Sequence, residues 1–508
     1  MQDGIFYALL EDQALKFNIL QSSSASLHQF AAHCDSWLNN AKWGMFWLHN
    51  DCTKGGGIPR KFDSDAYQAA RELADLSDRY ATFETAFTYA SKGYVTIFVE
   101  GNTIRRSGDL TKEPCFAAYD RIVKPVEPPF NIVPVLRDIY DRIDRTLKIS
   151  KGRFRYSLDY RLVNDAVSAF IPVVKDRLRL PHSWQFSRYS LNDFRQLSSI
   201  LFAYSLIHSH ARHIAMERGC DGLGFLDCIM VRRLEEWVQL LCRDSGLEEN
   251  LVRVILSDLT YGNGNMRAPD IALQPFVPLL PDTLGLSPHV VLTSDLERNF
   301  SVLLNRLPED KKMYAQLSDE LEQKSRQKIQ ETLKGNEWRF WNGPLPGHPE
   351  LPDIDLAIVS DAQKVCLILE IKSFIGPAEA REVIEKFEHI IKGIKQIQQL
   401  KRSAKVDFSV YEQALSIDSS FLVTWAVASE TSIGLGAVQD DEVPVVLIPH
   451  FIRKALKTSD LRKMCDWLNQ RTYLPKEGVD FEVVEQPIMI GKWTLEWYGL
   501  KIHSENVF

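Results

Sequence analysis

Between Lys311 and Ala428 the spacing of apolar residues changes period several times, and each change marks an element. Residues 311–334 carry apolar side chains at helical spacing and stop before Gly335, a residue suited to closing a helix. Residues 337–341, Glu-Trp-Arg-Phe-Trp, read as an aromatic strand. Leu356 to Val359 form a second apolar run directly after Asp355, the polar stretch 360–364 reads as a turn, and the aliphatic run 365–371 follows as its hairpin partner. After Gly376-Pro377 a long helix is expected over 378–404, and 421–428 (FLVTWAVA) reads as a buried strand. The predicted order is therefore helix, three strands, helix, strand.

The rest of the chain is less regular. In residues 1–125, the stretches 26–40 and 63–78 have amphipathic helical spacing, while 94–100 resembles a strand ended by a Gly101-Asn102 turn, so a mixed α/β module is expected. Lys54-Gly55-Gly56-Gly57 lacks the Gly-Lys-Ser/Thr ending and the preceding strand of a phosphate-binding P-loop, which favours a surface loop. Prolines at 125, 128 and 129 mark a linker. Beyond it, 191–256 is strongly helical and 270–296 switches to short strands punctuated by proline, predicting a mainly helical domain over 126–305. His208, His210 and His213 sit in that helical stretch, but only His210 and His213 share a face and no cysteine completes a set, so structural histidines are the expectation. A strand over 443–449, a basic helix over 451–468 and an aromatic hairpin over 481–502 complete the third region, 306–508, and the hairpin is expected to extend its sheet.

Composition changes this picture only by exclusion. The 508 residues are 45% hydrophobic and 25% charged, ordinary for a globular chain of several domains. With 60 Lys and Arg against 67 Asp and Glu, the net charge is −7, so any contact with nucleic acid must come from a local patch. One such patch is 142–161, where Arg153 and Arg155 stand among further basic residues and the rings of Phe154, Tyr156 and Tyr160. Basic groups neutralise phosphates and rings can stack on unpaired bases, which makes Arg153 and Arg155 candidate nucleic-acid contacts. Eight cysteines without a CxxC pair, no basic leader with a cleavage site and no apolar run of membrane length point to a reduced, cytoplasmic chain with no membrane partner.

The candidate chemistry lies on the hairpin. Side chains alternate along a strand, so Asp353 and Asp355 share one face, and Glu370 and Lys372 share a face of the neighbouring strand with Ile371 turned away. Two carboxylates on adjacent strands can hold a hard divalent cation, and a nearby ammonium can orient water or stabilise negative charge on a phosphate. The residues Pro352-Asp353, Asp355 and Glu370-Ile371-Lys372 closely resemble the signature of the PD-(D/E)XK, or restriction-endonuclease-like, nuclease superfamily, and the resemblance covers about 310–430 in motif and in element order. It implies an αβββαβ core in an α/β chain, α+β overall, preceded by largely helical domains. It also implies Mg²⁺ or Mn²⁺ as cofactor, Asp355 and Glu370 as metal ligands, and Lys372 as the catalytic ammonium. Glu322, on the helical face of Ser325 and Ile329, is implied as a further acidic residue, with a surface pair to Arg326 as the competing reading. Lys392 and Gln396 on the second helix match positions that some relatives place near the scissile phosphate.

The expected activity is metal-dependent hydrolysis of phosphodiester bonds, with DNA favoured over RNA. A place in defence against foreign DNA is an analogy from fold alone. The alternative is an inactive nuclease fold serving as a nucleic-acid-binding or assembly subunit. A separate NTPase, another complex subunit and a homo-oligomer all stay open as partners.

Overall fold

In the computed structural model, the region from residue 311 onward supplies the elements that carry the candidate chemistry. They are helix α1 (Lys311–Leu333), strands β1 (Arg339–Gly343), β2 (Ile354–Ser360) and β3 (Val365–Lys372), helix α2 (Ala380–Val406), and strands β4 (Leu422–Ser429) and β5 (Val445–Leu447). The residues described are 40–51, 63–107, 112–123, 133–151, 153–174, 180–220, 229–263, 269–307, 309–374, 380–434 and 440–503. The loop at Lys54–Gly57, the proline-rich stretch 124–129, Gly376-Pro377 and nearly all of the helix expected over 26–40 lie outside them.

The five strands form one sheet in the order β5-β4-β3-β2-β1. β3 runs antiparallel to β2 and parallel to β4, and α2 supplies the crossover that a parallel pair requires. All eight residues of β3 are buried, which is why it reads as a continuous aliphatic run instead of an alternating one. On α2 the side chains of Ile384, Phe387, Ile390, Ile394, Ile397 and Leu400 are buried at spacings of three and four, giving one apolar face. On α1 the buried positions Leu321, Ser325, Ile329 and Leu333 recur every four residues. The chain is thus mixed α/β.

The C-terminal hairpin departs from expectation. Phe481–Ile490 and Trp493–Ile502 do not extend the five-stranded sheet. They pair instead with Thr103–Ser107, which pairs with Thr96–Glu100, to make a separate four-stranded sheet. The expected helix over 451–468 is likewise two helices, Ile448–Lys457 and Leu461–Asn469, the second capped by the Asp460 side chain accepting from Lys463 N at 3.1 Å.

The chain divides into two compact units, residues 1–81 with 128–315, and 82–127 with 316–508. This division differs from one at 125 and 305, because helix Lys112–Ile122 belongs with the five-stranded sheet. Its Tyr119 is wholly buried in that core, where the hydroxyl accepts from Leu447 N at 3.2 Å and meets His450 Nδ1 at 3.0 Å. The other unit is mainly helical. Its Leu191–Glu217 helix opens with a capping box between Ser190 and Asp193, and a three-stranded sheet of Met230–Arg233, Thr283–Leu286 and Phe276–Leu280 accompanies it. Among the described residues no helix is long and apolar enough to cross a membrane.

Candidate active site at the end of the central strand

The ladder between β2 and β3 ends at the pair Leu356 and Leu369. One step further the two strands part, and the Asp355 carboxylate takes over as backbone partner: its Oδ2 accepts from Ile371 N at 2.7 Å. β3 continues alone beside β4 through Glu370 and Lys372. An acceptor on the side chain thus holds open the edge of the sheet where the charged residues lie.

Glu370 and Lys372, two positions apart, point to the same side of the sheet. Lys372 Nζ lies 2.7 Å from Glu370 Oε1 and 3.6 Å from Glu322 Oε1 on α1. Glu322 therefore faces inward, as its place beside Ser325 and Ile329 predicts, and its ion-pair partner is Lys372. The structure brings Asp355, Glu370, Lys372 and Glu322 together. Asp353 is exposed.

The electrostatics follow from three carboxyls around one ammonium. Burial, then the neighbouring Asp355 carboxylate, push the Glu370 carboxyl up to about 8, against the pull of Lys372. Burial also raises Asp355, opposed by the Ile371 N–H, Lys372 and Arg326, and it raises Glu322, opposed by Lys372. For Lys372 burial works downward, yet Glu370 and Glu322 outweigh it and hold the ammonium above its ordinary value. Perturbed groups gathered at one end of a sheet make this place a candidate functional site, since active sites shift pKa values by the same burial and charge pairing that structural ion-pair networks use.

Three neighbours complete the site and were not expected. Gly393 of α2 lies against it so closely that a Cβ there would stand 3.1 Å from Lys372 Cε and 3.2 Å from Glu370 Cγ. A lone glycine inside a strongly helical stretch was the available signal, since glycine there costs about 1 kcal/mol relative to alanine. Ser325 Oγ, 3.0 Å from Ser373 Oγ and 3.2 Å from Glu430 Oε2, ties α1 to the ends of β3 and β4, and Lys328 adds a 3.3 Å contact to Glu430. His389, one turn before Gly393, is lowered by desolvation and by Lys386, Lys372 and Lys392. These depend on packing between elements distant in sequence, which no local pattern encodes.

Of the other candidates, Lys392 is exposed beside Gly393, and Gln396 is half-buried with its Oε1 lacking a hydrogen-bond partner among the described residues. Arg153 and Arg155 belong to the other unit. Of the three histidines, buried His208 meets Tyr156 Oη at 2.8 Å, exposed His213 pairs with Glu217 at 3.3 Å, and His210 packs edge-on against Tyr140 with its buried Nε2 lacking a hydrogen-bond partner among the described residues. Among the described residues no group of three or more His, Cys, Asp or Glu side chains is gathered to hold a metal ion. What the donor set does fit is an ion held by two carboxylates, Asp355 and Glu370, with water and phosphate oxygens completing the shell, the manner usual for Mg²⁺. The excess of buried acidic groups over the single ammonium favours a cation there.

No family model, curated protein or solved structure matches the chain.

Proposed function

We propose that the chain is a metal-dependent nuclease of the PD-(D/E)XK type, hydrolysing phosphodiester bonds, with DNA the favoured substrate. The observation that carries this reading is the convergence of Asp355, Glu370, Glu322 and Lys372 where β2 and β3 part. The order α1-β1-β2-β3-α2-β4 supports it, because it follows the αβββαβ core that the motif implies, with one short helix, Ser409–Leu415, inserted between α2 and β4.

Asp355 and Glu370 would hold Mg²⁺ or Mn²⁺, which supplies charge neutralisation at the phosphate and a more acidic bound water. Lys372 donates to the attacking water or to a non-bridging oxygen, where negative charge grows as the bond from that water to phosphorus forms; the bond to the leaving oxygen then breaks and that oxygen takes a proton from solvent. Glu370 and, more weakly, Glu322 keep Lys372 protonated, and Glu322 approaches it from α1. Gly393 leaves room for the Glu370 and Lys372 side chains to reach the same point.

A second reading, binding without cleavage, draws on two observations. Lys372 sits directly on Glu370, and no group of three ligands is assembled among the described residues. The experiment that separates the two incubates the full chain with plasmid, single-stranded DNA and RNA in Mg²⁺, Mn²⁺ or EDTA, beside Lys372→Ala. Metal-dependent cutting that Lys372→Ala loses while still binding supports the nuclease. No cutting of any substrate by the native chain, with binding retained, overturns it in favour of the scaffold.

A further inference from the structure

Residues 133–174 form a helix, a short hairpin and a second helix: Val133–Thr146, Lys148–Ser150 with Arg153–Arg155, and Tyr160–Val174. The hairpin stretch 148–155 reads Lys-Ile-Ser-Lys-Gly-Arg-Phe-Arg, four cations and no acid. Its ladder pairs Lys148 with Arg155 and Ser150 with Arg153, so these four residues share one face, and Lys148, Arg153 and Arg155 are all exposed on it. Like charges directly opposite one another destabilise a hairpin. Lys148 facing Arg155 is an arrangement that a bridging anion would relieve.

On the opposite face Phe154 is turned into the unit's interior, while its ladder partner Ile149 is exposed. Phe154 is buried, stacked on Tyr156 with ring centroids 6.0 Å apart and packed on His208 at 5.5 Å. Phe154 and Tyr156 therefore anchor the hairpin, Tyr160 alone of the three rings is exposed and lies outside the ribbon, and the ribbon's outward face carries Lys148, Ser150, Arg153 and Arg155 with no ring among them. Three acids of the flanking helices and loop have partners outside the ribbon: Asp144 pairs with Arg218 at 2.6 Å, Asp165 with Arg142, and Asp159 accepts from Leu162 N at 2.9 Å. In the flanking helices a cleft of about 540 Å³ is lined by Arg142, Arg145 and Arg161 together with Asp138 and Asp165, with Tyr160 on its wall.

We infer that the ribbon 148–155 is a phosphate-backbone grip for double-stranded nucleic acid, indifferent to base sequence. This rests on the nuclease reading for its choice of partner. A surface with cations but no stacking rings gains from counterion release, and a duplex offers more of that than a single strand because its phosphates are denser along the axis. Single-strand binding instead relies on aromatic platforms, which this face lacks.

The test measures binding of the full chain in EDTA, by fluorescence anisotropy over a range of KCl, to a duplex, to a duplex of shuffled sequence and to the corresponding single strand. The proteins are the native chain, a variant combining Lys148→Gln, Lys151→Gln, Arg153→Gln and Arg155→Gln, the single variants Lys148→Gln and Arg155→Gln, Tyr160→Ala and Asp355→Asn. Expected are equal affinity for both duplexes, weaker single-strand binding, and a fall of about tenfold or more for the combined variant, with a log–log salt slope smaller by about 2 to 4. Each single variant should lower the slope by about 1, which keeps the test decisive if the combined variant misfolds. Duplex binding by the combined or single variants with the native slope overturns the inference. So does a preference for single strands that Tyr160→Ala removes, or ribbon-dependent binding to anionic vesicles in place of duplex. Cutting by a native chain whose ribbon variants bind normally would sink the ribbon and spare the nuclease; duplex binding through the ribbon without any cutting would do the reverse.

Discussion

Lys372 Nζ and Glu370 Oε1 lie 2.7 Å apart at the end of one strand, with Gly393 of the crossover helix packed on both side chains. The pair is held from above by the absence of a side chain and from the flank by Glu322, so its geometry depends on three separate elements.

Gly393→Ala tests that dependence. A Gly-to-Ala change inside a helix ordinarily stabilises by about 1 kcal/mol, but here the new methyl group meets Lys372 Cε at 3.1 Å and Glu370 Cγ at 3.2 Å. Stability should stay within about 1 kcal/mol of the native value while cleavage falls roughly tenfold, the size expected from a slight displacement of catalytic groups. Denaturant titration and a plasmid-nicking assay check the two halves.

Asp355 has two roles that substitutions can separate. Asp355→Asn keeps an oxygen to accept from Ile371 N but removes the charge, whereas Asp355→Ala removes both. Both variants should abolish metal-dependent cutting. Only Asp355→Ala should also lose roughly 1–3 kcal/mol of stability, the range for leaving such a donor unpaired, as read by urea unfolding in EDTA.

The acidic cluster predicts a pH dependence with a definite sign. Glu370 titrates at about 8 in the folded protein against an ordinary 4.5, raised first by burial and then by Asp355. The folded state keeps a proton that the unfolded chain releases, so in EDTA this group's contribution to stability is full below 4.5 and is lost as pH rises to about 8. Divalent cations displace the same proton, so the rise in Tm caused by Mg²⁺ should grow over that interval. Glu370→Gln should flatten both trends in thermal melts, and a Mg²⁺-induced shift equal at the two ends would contradict the assignment.

Tyr119 tests why helix Lys112–Ile122 belongs with the sheet unit. Tyr119→Phe removes the hydroxyl that accepts from Leu447 N and bonds His450 Nδ1, both in the core. A loss of roughly 1–3 kcal/mol is expected for the groups left unpaired. Chemical denaturation followed by far-UV circular dichroism reports it.

Much of the central region could be read along the chain because its signals are local. The buried run of β3, the apolar face of α2 and the inward face of α1 each follow from spacing within one element, and alternation alone places Glu370 and Lys372 on one face. The unit boundary near 81 could not be read this way, since it falls inside the continuous helix Ser64–Ser91 with no linker composition to mark it. Nor could the partner of the C-terminal hairpin be read, because strand alternation defines a face to bury but not the edge it joins.

By itself, then, the sequence determined the period of each element and the order of charges along it. Only the tertiary structure decided that Glu322 reaches Lys372, that Gly393 makes room for Glu370, and that Phe154 is buried behind a ribbon whose Lys148, Arg153 and Arg155 are exposed. Periodicity acts over a few residues through backbone geometry, while these contacts join residues tens of positions apart and come from side-chain volume and burial in the packed chain.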